Sequence, residues 1–107
     1  MRNLFKDVHN LSKLDKHGTL PLALCKLAEE FGELAQVVNM KTGRKKNSYS
    51  HKEIRSKVAE ESADVIQNVF CVADKFGITY EEILICLAIK NIKWENNISE
   101  RKNKKRK

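Results

Sequence analysis

Residues 27–38 read LAEEFGELAQVV, and this stretch decides the fold of the chain. Its apolar residues recur at intervals of three and four, which is the spacing of one face of an α-helix rather than the alternation of a strand. Glu30 and Glu33 lie three residues apart, so a helix places both carboxylates on the same side. The stretch therefore predicts a helix that carries an acidic pair beside an apolar stripe.

A second stretch of the same kind occupies residues 58–69, which read VAEESADVIQNV. Here Glu61 and Asp64 form the acidic pair, and the 27 residues 34–60 separate it from the first pair. Carboxylates crowded together repel one another and need a cation or a proton in order to coexist. Two such faces form an oxygen-rich pocket that suits Mg²⁺ or Mn²⁺ better than zinc. Neither pair ends in His, as the pairs of di-iron bundles do.

The position of each glutamate on its helix favours a pocket over a solvated surface, which is the commoner fate of helical acids. At about 100° per residue, Glu61 falls at the border of the apolar stripe of its helix, and Glu30 falls to the side of its stripe, beside Ala23 and Val37. Their neighbours Glu29 and Glu60 face away from it. The second acid of each pair stands farther round the helix, and it reaches the pocket if the two helices pack along that edge.

The chain is predicted to be all-α, because no segment shows the period-two alternation of a half-buried strand. Ser50 and Thr79 are each followed three residues later by Glu, the pattern of a capping box at the start of a helix. Gly43 and Gly77 are expected to end the two long helices. The predicted helices lie within residues 1–18, from Thr19 to Thr42, from Ser50 to Gly77 and from Thr79 to beyond Asn91.

Apolar stripes mark the sides of the two long helices that we expect to be buried. On the first long helix the stripe consists of Leu24, Leu27, Ala28, Phe31, Leu34, Ala35 and Val38. On the second it consists of Ile54, Val58, Val65, Val69, Val72 and Phe76. Ala23, Val37 and Met40 make another edge of the first helix partly apolar, and apolar residues on two sides of one helix predict contact with another subunit.

Length and charge predict one domain followed by a short basic tail. The 107 residues suffice for a single core. The net charge is +7, but six positive charges lie in residues 101–107, so the rest of the chain is close to neutral. We expect residues 1–100 to form the domain and residues 101–107 to be a disordered tail. Such a tail contacts nucleic acid only weakly and without sequence preference.

Apolar runs and cysteines bear on the cellular compartment. No run of about 18 apolar residues is present, so we expect no membrane span, and the N-terminus lacks the apolar block of a secretory signal. The three widely spaced cysteines, Cys25, Cys71 and Cys86, are expected to be buried free thiols. These features predict a cytoplasmic protein without a membrane partner.

The order and spacing of the motifs resemble those of the MazG-like all-α nucleoside triphosphate pyrophosphohydrolases. The resemblance covers about residues 20–95 and rests on E-x-x-E within EEFGELA, E-x-x-D within EESADVIQNV and a short Gly-Ile-Thr connection. The helix that follows carries Lys90 and Asn91. The resemblance implies a helical bundle with two long central helices and a C-terminal helix, assembled as a homodimer or homotetramer.

The resemblance also implies an activity. The reaction hydrolyses a nucleoside or deoxynucleoside triphosphate between the α and β phosphates, which gives the monophosphate and pyrophosphate. In the cell such a reaction serves the sanitation or control of nucleotide pools. Glu30 or Glu33 is expected to act as the general base. The implied ligands of Mg²⁺, or of Mn²⁺ in its place, are Glu30, Glu33, Glu61 and Asp64.

Substrate contacts are implied as well. Asn68, one turn beyond Asp64, resembles the position where relatives place a nucleotide-contacting side chain, and Asn91 matches an Asn of the family's last helix. Relatives often carry a lysine and an arginine where this chain has Leu87 and Trp94. We therefore expect the phosphates to be contacted by other basic residues, namely Lys90, Lys93, Arg44, Lys45 and Lys46.

Two other functions remain open. The chain is alternatively a small helical nucleic-acid-binding or regulatory protein whose acids are only surface residues, and this hypothesis rests on the basic loop at residues 44–46 and the basic tail. It is alternatively a catalytically inactive MazG-like relative that acts through oligomerisation. Release of pyrophosphate from a panel of nucleotides, with and without Mg²⁺, distinguishes the enzyme from both.

Overall fold

A computed structural model of the chain describes residues 3–41 and 49–105, and within these ranges it shows helices and turns but no strand. The prediction of an all-α protein is therefore confirmed. The helices are α1 (Leu4–Leu14), α2 (Leu20–Lys41), α3 (His51–Lys75) and α4 (Tyr80–Lys105). They fall into two compact units, Met1–Gly77, which contains α1 to α3, and Ile78–Lys107, which contains α4.

The starts of α3 and α4 follow the predicted capping residues. At α3, the backbone N–H of Glu53 donates to Ser50 Oγ over 3.1 Å, and the N–H of Ser50 donates to Glu53 Oε1 over 3.3 Å. At α4, the N–H of Glu82 donates to Thr79 Oγ1 over 3.2 Å, and the N–H of Thr79 donates to Glu82 Oε2 over 2.6 Å. Both capping boxes are therefore confirmed, and each satisfies two backbone donors that a helix start leaves unpaired.

The ends of the long helices agree with the sequence in part. Gly77 follows α3 with φ of 68°, the left-handed conformation that favours glycine after a helix. Gly43, which we expected to end α2, lies outside the described residues. The predicted disorder of residues 101–107 is not confirmed, because α4 continues as a helix to Lys105. Lysine and arginine form helices well, and their charge is favourable near the negative C-terminal end of a helix.

α3 is the element against which the other helices of the first unit pack. The ring of Phe5 on α1 meets that of Phe70 on α3 edge to face, with centroids 4.8 Å apart. One turn further along both helices, the imidazole of His9 pairs with the carboxylate of Asp74. An aromatic contact and a polar contact therefore hold α1 against the second half of α3.

α2 packs on α3 with a different side from the one that its main apolar stripe predicts. Glu30 and Val37 are the buried residues of α2. Leu24, Phe31 and Val38 are 58%, 65% and 44% exposed, whereas Leu27 and Leu34 are half-buried, so the prediction that the whole stripe is buried within the chain is wrong. The other apolar edge of α2, to which Val37 belongs, packs against α3 instead. Leu24, Phe31 and Val38 are thereby left on the outside of the first unit.

Few apolar side chains of the described residues are enclosed. The buried ones are Val37, Ile54 and Ala73, and no large side chain in the described part of the chain is completely buried. The predicted burial of Ile54 is confirmed. Val58, Val65 and Val72 are half-buried, whereas Val69 and Phe76 are exposed, contrary to prediction. The first unit thus has a thin core for its size.

α4 carries apolar side chains that remain exposed. They are Leu84, Ile85, Leu87, Ile89, Ile92, Trp94 and Ile98. The predicted boundary after residue 100 falls inside this helix. Among the described helices, none has the length and apolar content that crossing a membrane requires.

The three cysteines are free, as predicted, but only one of them is partly enclosed. Cys71 on α3 is half-buried, and removal from water raises the pKa of its thiol. Cys25 and Cys86 are exposed, so the prediction that all three are buried is wrong. Cys25 is adjacent to Leu24, one of the exposed apolar residues of α2, which explains its exposure.

Candidate metal centre

Three carboxylates from α2 and α3 converge in the first unit. Glu30 and Glu33 come from α2 and Glu61 comes from α3, and one oxygen of each lies within 4.8 Å of the others. Glu30 is only 6% exposed, and Glu33 and Glu61 are half-buried, whereas Glu29 and Glu60 are exposed. The inward position of the second glutamate in each Glu-Glu pair is therefore confirmed. We call these three carboxylates the acidic cluster.

A seven-residue repeat on both helices positions the acidic cluster. Helices that pack along their length bring side chains together at such intervals. Every seventh residue along the contact is buried or half-buried, namely Ala23, Glu30 and Val37 on α2 and Ile54, Glu61 and Asn68 on α3. Glu30 and Glu61 thus occupy the middle positions of the packed seam, where apolar residues normally stand.

The acidic cluster holds more negative charge than its neighbours neutralise. The ammonium of Lys26 lies 3.3 Å from Glu30 Oε1. When the three carboxyl groups are ionised, Oε2 of Glu30 and Oε2 of Glu61 are buried without a hydrogen-bond donor among the described residues. A buried acceptor without a partner costs roughly 1–3 kcal/mol. The arrangement therefore favours the uptake of a cation or a proton.

Glu33 and Lys26 respond to this negative field in the directions that electrostatics requires. Hydrogen bonding to Glu30, then the charge of Glu30, partial burial and the charge of Glu61, raise the pKa of the Glu33 carboxyl above its ordinary value of 4.5. A hydrogen bond to Glu30 and the charge of Glu29 raise the pKa of the Lys26 ammonium above its ordinary value of 10.5. Proton binding is thus favoured at both groups.

The geometry of the acidic cluster suits a hard divalent cation. Mg²⁺ binds oxygen ligands at about 2.0–2.1 Å in octahedral geometry, which separates its ligand oxygens by about 3–4 Å. The oxygens of Glu30, Glu33 and Glu61 lie within 4.8 Å of one another, so small side-chain movements bring them into that range. Their donor set is carboxylate oxygen alone, which fits Mg²⁺ or Mn²⁺ rather than zinc.

Asp64, the fourth predicted ligand, does not join the other three. It is half-buried on α3, but its carboxylate is not among the oxygens that lie within 4.8 Å of one another. The aspartate side chain is one methylene shorter than glutamate, so it does not reach the same point from its position three residues beyond Glu61. Mg²⁺ in proteins commonly keeps several waters, and such a water can link Asp64 to the ion.

Asn68 lies inside the protein beside the acidic cluster, one turn beyond Asp64. Its Nδ2 donates to the backbone carbonyl of Asp64 over 2.8 Å. This bond fixes the amide and leaves Oδ1 available as an acceptor. The Asn68 side chain also lines a cavity, so the residue expected to contact a nucleotide faces an open space.

This cavity has a volume of about 480 Å³ and lies between α1, the α1–α2 turn, the first turns of α2 and the second half of α3. Val8, Leu11 and Leu22 give it apolar walls, and Lys26 lines it at the side of the acidic cluster. Its volume falls within the range of roughly 300–1,000 Å³ that is usual for small-molecule sites. Neither the cavity nor Lys26 was predicted from the sequence, although the four-residue spacing of Lys26 and Glu30 was an available signal.

The other predicted substrate residues lie in the second unit or outside the described residues. Lys90, Asn91 and Lys93 are exposed on α4, in the second unit. Arg44 and the lysines at positions 45 and 46 lie outside the described residues. The roles of all these residues in phosphate binding stay predictions.

No model of a known protein family matches the chain, and neither a curated protein nor a solved structure matches it. The resemblance of the two acidic motifs to the MazG-like enzymes therefore stays a prediction. The acidic cluster and the cavity beside it carry the argument about function.

Proposed function

We propose that the chain is a Mg²⁺-dependent nucleoside triphosphate pyrophosphohydrolase, which converts a nucleoside or deoxynucleoside triphosphate to the monophosphate and pyrophosphate. One observation carries the proposal. Glu30, Glu33 and Glu61 converge around buried oxygens that lack donors, next to a cavity large enough for an organic ligand. Polyphosphate needs a cation to approach carboxylates, and the convergence of three carboxylates supports the binding of one.

The residues of the acidic cluster have different roles in the proposed reaction, namely metal binding and proton acceptance. When bound, Mg²⁺ neutralises phosphate oxygens and lowers the pKa of a bound water. Glu30 is the most buried of the three and is paired with Lys26, which suits a fixed ligand. Glu33 is less buried and its pKa is raised, which brings its basicity closer to that of an effective general base. We assign Glu33 the proton from the attacking water.

The proposal includes assembly of the chain with copies of itself. Leu24, Phe31 and Val38 recur at seven-residue intervals on the outside of α2 and are exposed. Apolar residues at this spacing are typical of helices that pack against another helix. Because the core of the first unit is thin, burial of this stripe by a second copy would stabilise the chain. A homodimer or homotetramer fits this surface.

Pyrophosphate release from a panel of nucleotides tests the activity. We expect Mg²⁺-dependent hydrolysis of at least one nucleotide, and a loss of about 100-fold or more in Glu61→Gln, because one ligand charge is removed from the acidic cluster. Glu60→Gln is the matched control, since Glu60 is adjacent in sequence but exposed, and it should retain activity.

Two results would contradict the proposed enzymatic activity. One is the absence of hydrolysis with every nucleotide, and the other is equal activity in Glu61→Gln and Glu60→Gln. If hydrolysis is absent and a salt-sensitive complex with DNA is lost on deletion of residues 101–107, the nucleic-acid-binding function is favoured instead.

A further inference from the structure

Lys26 connects the cavity to the acidic cluster. Lys26 lines the cavity, and its ammonium lies 3.3 Å from Glu30 Oε1. Asn68 lines the cavity from α3 and bonds to the backbone of Asp64. A ligand that fills the cavity therefore contacts Lys26, whose ammonium is paired with Glu30. Lys26 is the positively charged side chain at the junction between the cavity and the acidic cluster.

The opposite end of the cavity is polar and held in place. Asp15, at the end of α1, accepts from the backbone N–H of His17 over 3.0 Å. The ammonium of Lys75 donates to the carbonyl of Gly18 and so ties the α1–α2 turn to α3. Asp15 and Lys75 both line the cavity, so an acceptor and a donor stand together at its far end.

The composition of the walls suits a flat ring with a polar edge. Val8, Leu11 and Leu22 offer apolar surface, while Gln67, Asp15 and the other polar groups offer hydrogen bonds. A purely aliphatic ligand would leave these polar groups unpaired, which is costly. A base joined to a sugar satisfies both kinds of surface and fits a volume of about 480 Å³.

We infer that the cavity binds the nucleoside of the nucleotide substrate and that Lys26, at its junction with the acidic cluster, binds the phosphate chain. The inference rests on the proposed function and adds to it the location of the base and sugar. Asp15 and Lys75 face the edge of the base.

Binding of nucleosides without phosphates tests the cavity alone. The probes are adenosine, guanosine, cytidine and uridine, added to the metal-free chain and followed by NMR chemical shifts. We expect at least one to bind, and Ala23→Phe, which fills the cavity, to weaken that binding about tenfold or more. Ala28→Phe is the matched control, because Ala28 is exposed on the same helix and does not line the cavity.

A second cavity variant keeps the test valid if Ala23→Phe does not fold. Leu22→Trp changes a cavity residue that is more than half exposed, so the fold tolerates it, and it should weaken nucleoside binding in the same way. Native affinity in both Ala23→Phe and Leu22→Trp, or no binding of any nucleoside by the native chain, overturns the inference.

The role of Lys26 in phosphate binding is tested by comparing the binding of a nucleoside with the binding of a triphosphate. Lys26→Met should weaken binding of a non-hydrolysable triphosphate analogue with Mg²⁺ about tenfold more than it weakens nucleoside binding, because only the triphosphate requires the charge. Lys26→Arg should restore much of that loss, because the charge is kept. Equal triphosphate affinity in Lys26→Met and the native chain overturns the role of Lys26.

Failure of the proposed function has a different signature. It appears as the absence of pyrophosphate release by the native chain, whatever the nucleoside measurements show. A chain that releases pyrophosphate but binds nucleosides outside the cavity keeps the function and loses the inference.

Discussion

At the scale of single residues, the centre of the molecule is a pair of glutamates in positions that usually hold apolar side chains. Glu30 and Glu61 each stand between packed residues of the α2–α3 seam. Buried charges without partners reduce stability, so the fold gives up stability at this point. Such a cost is expected where a site binds a cation or a charged ligand.

The sequence predicted part of this arrangement. The helical periodicity distinguished Glu30 from Glu29, because the two differ by about 100° around the helix. It did not show that Asp64 falls short, since side-chain reach depends on the distance between helices. It also did not single out Lys26, because most lysines that precede a glutamate by four residues form ordinary surface pairs.

Glu33 should contribute more to the stability of the metal-free chain in acid than at neutral pH. The pKa of Glu33 is raised on folding above 4.5, so its contribution to stability is fully present below that pH and is lost as the pH rises through the folded-state pKa. We expect the melting temperature, measured with a chelator, to decline over this window in the native chain and to decline less in Glu33→Gln.

Glu29→Gln is the control for this experiment, because Glu29 is exposed on the same helix, and its melting temperature should follow that of the native chain. Parallel declines in the native chain and Glu33→Gln would mean that Glu33 carries no raised pKa. Mg²⁺ should remove most of the decline, since the cation replaces the proton.

At the scale of the helices, the ends were easier to predict than the faces. The capping boxes at Ser50 and Thr79 are local, because each involves residues only three apart, and local hydrogen bonds can be recognised in sequence. The buried face of α2 was predicted wrongly, because a helix with two apolar sides does not show which one meets α3. That choice depends on tertiary packing.

Two glycines should respond to alanine in opposite directions. Gly77 has a positive φ, so Gly77→Ala should lower the free energy of unfolding by about 1–2 kcal/mol. Gly32 lies within α2, where alanine is the better helix former, so Gly32→Ala should raise it by roughly 0.5–1 kcal/mol. An added Cβ meets no atom within 4 Å at either position, so backbone conformation alone decides the signs.

Urea denaturation measures both free energies. Each variant serves as the control for the other, since the chemical change is the same. A Gly77→Ala chain as stable as the native one would contradict the left-handed end of α3.

At the scale of the whole molecule, exposed apolar surface is the dominant feature. The stripe of Leu24, Phe31 and Val38 remains open on the first unit, and apolar residues of α4 are open on the second. Exposed apolar surface of this extent is typical of interaction sites. The sequence suggested a second subunit from the two apolar sides of α2, and assembly stays a prediction.

Placing a charge in the stripe should dissociate the assembly. We expect Phe31→Asp to raise the dissociation constant between copies at least about tenfold, because a charge is then buried in an apolar contact. Sedimentation velocity at several concentrations measures it. Phe76→Asp is the control, since Phe76 is equally exposed at 65% but lies outside the stripe. Equal dissociation by both variants, or by neither, would exclude the α2 stripe as the contact.

Titration with Mn²⁺, followed by the electron paramagnetic resonance signal of the free ion, tests the acidic cluster most directly. The native chain and Glu60→Gln should bind the ion alike, and Glu61→Gln should bind it at least about tenfold more weakly, because one of three converging carboxylates has lost its charge. The account would be contradicted if the native chain left Mn²⁺ free, or if Glu61→Gln bound it as tightly as Glu60→Gln.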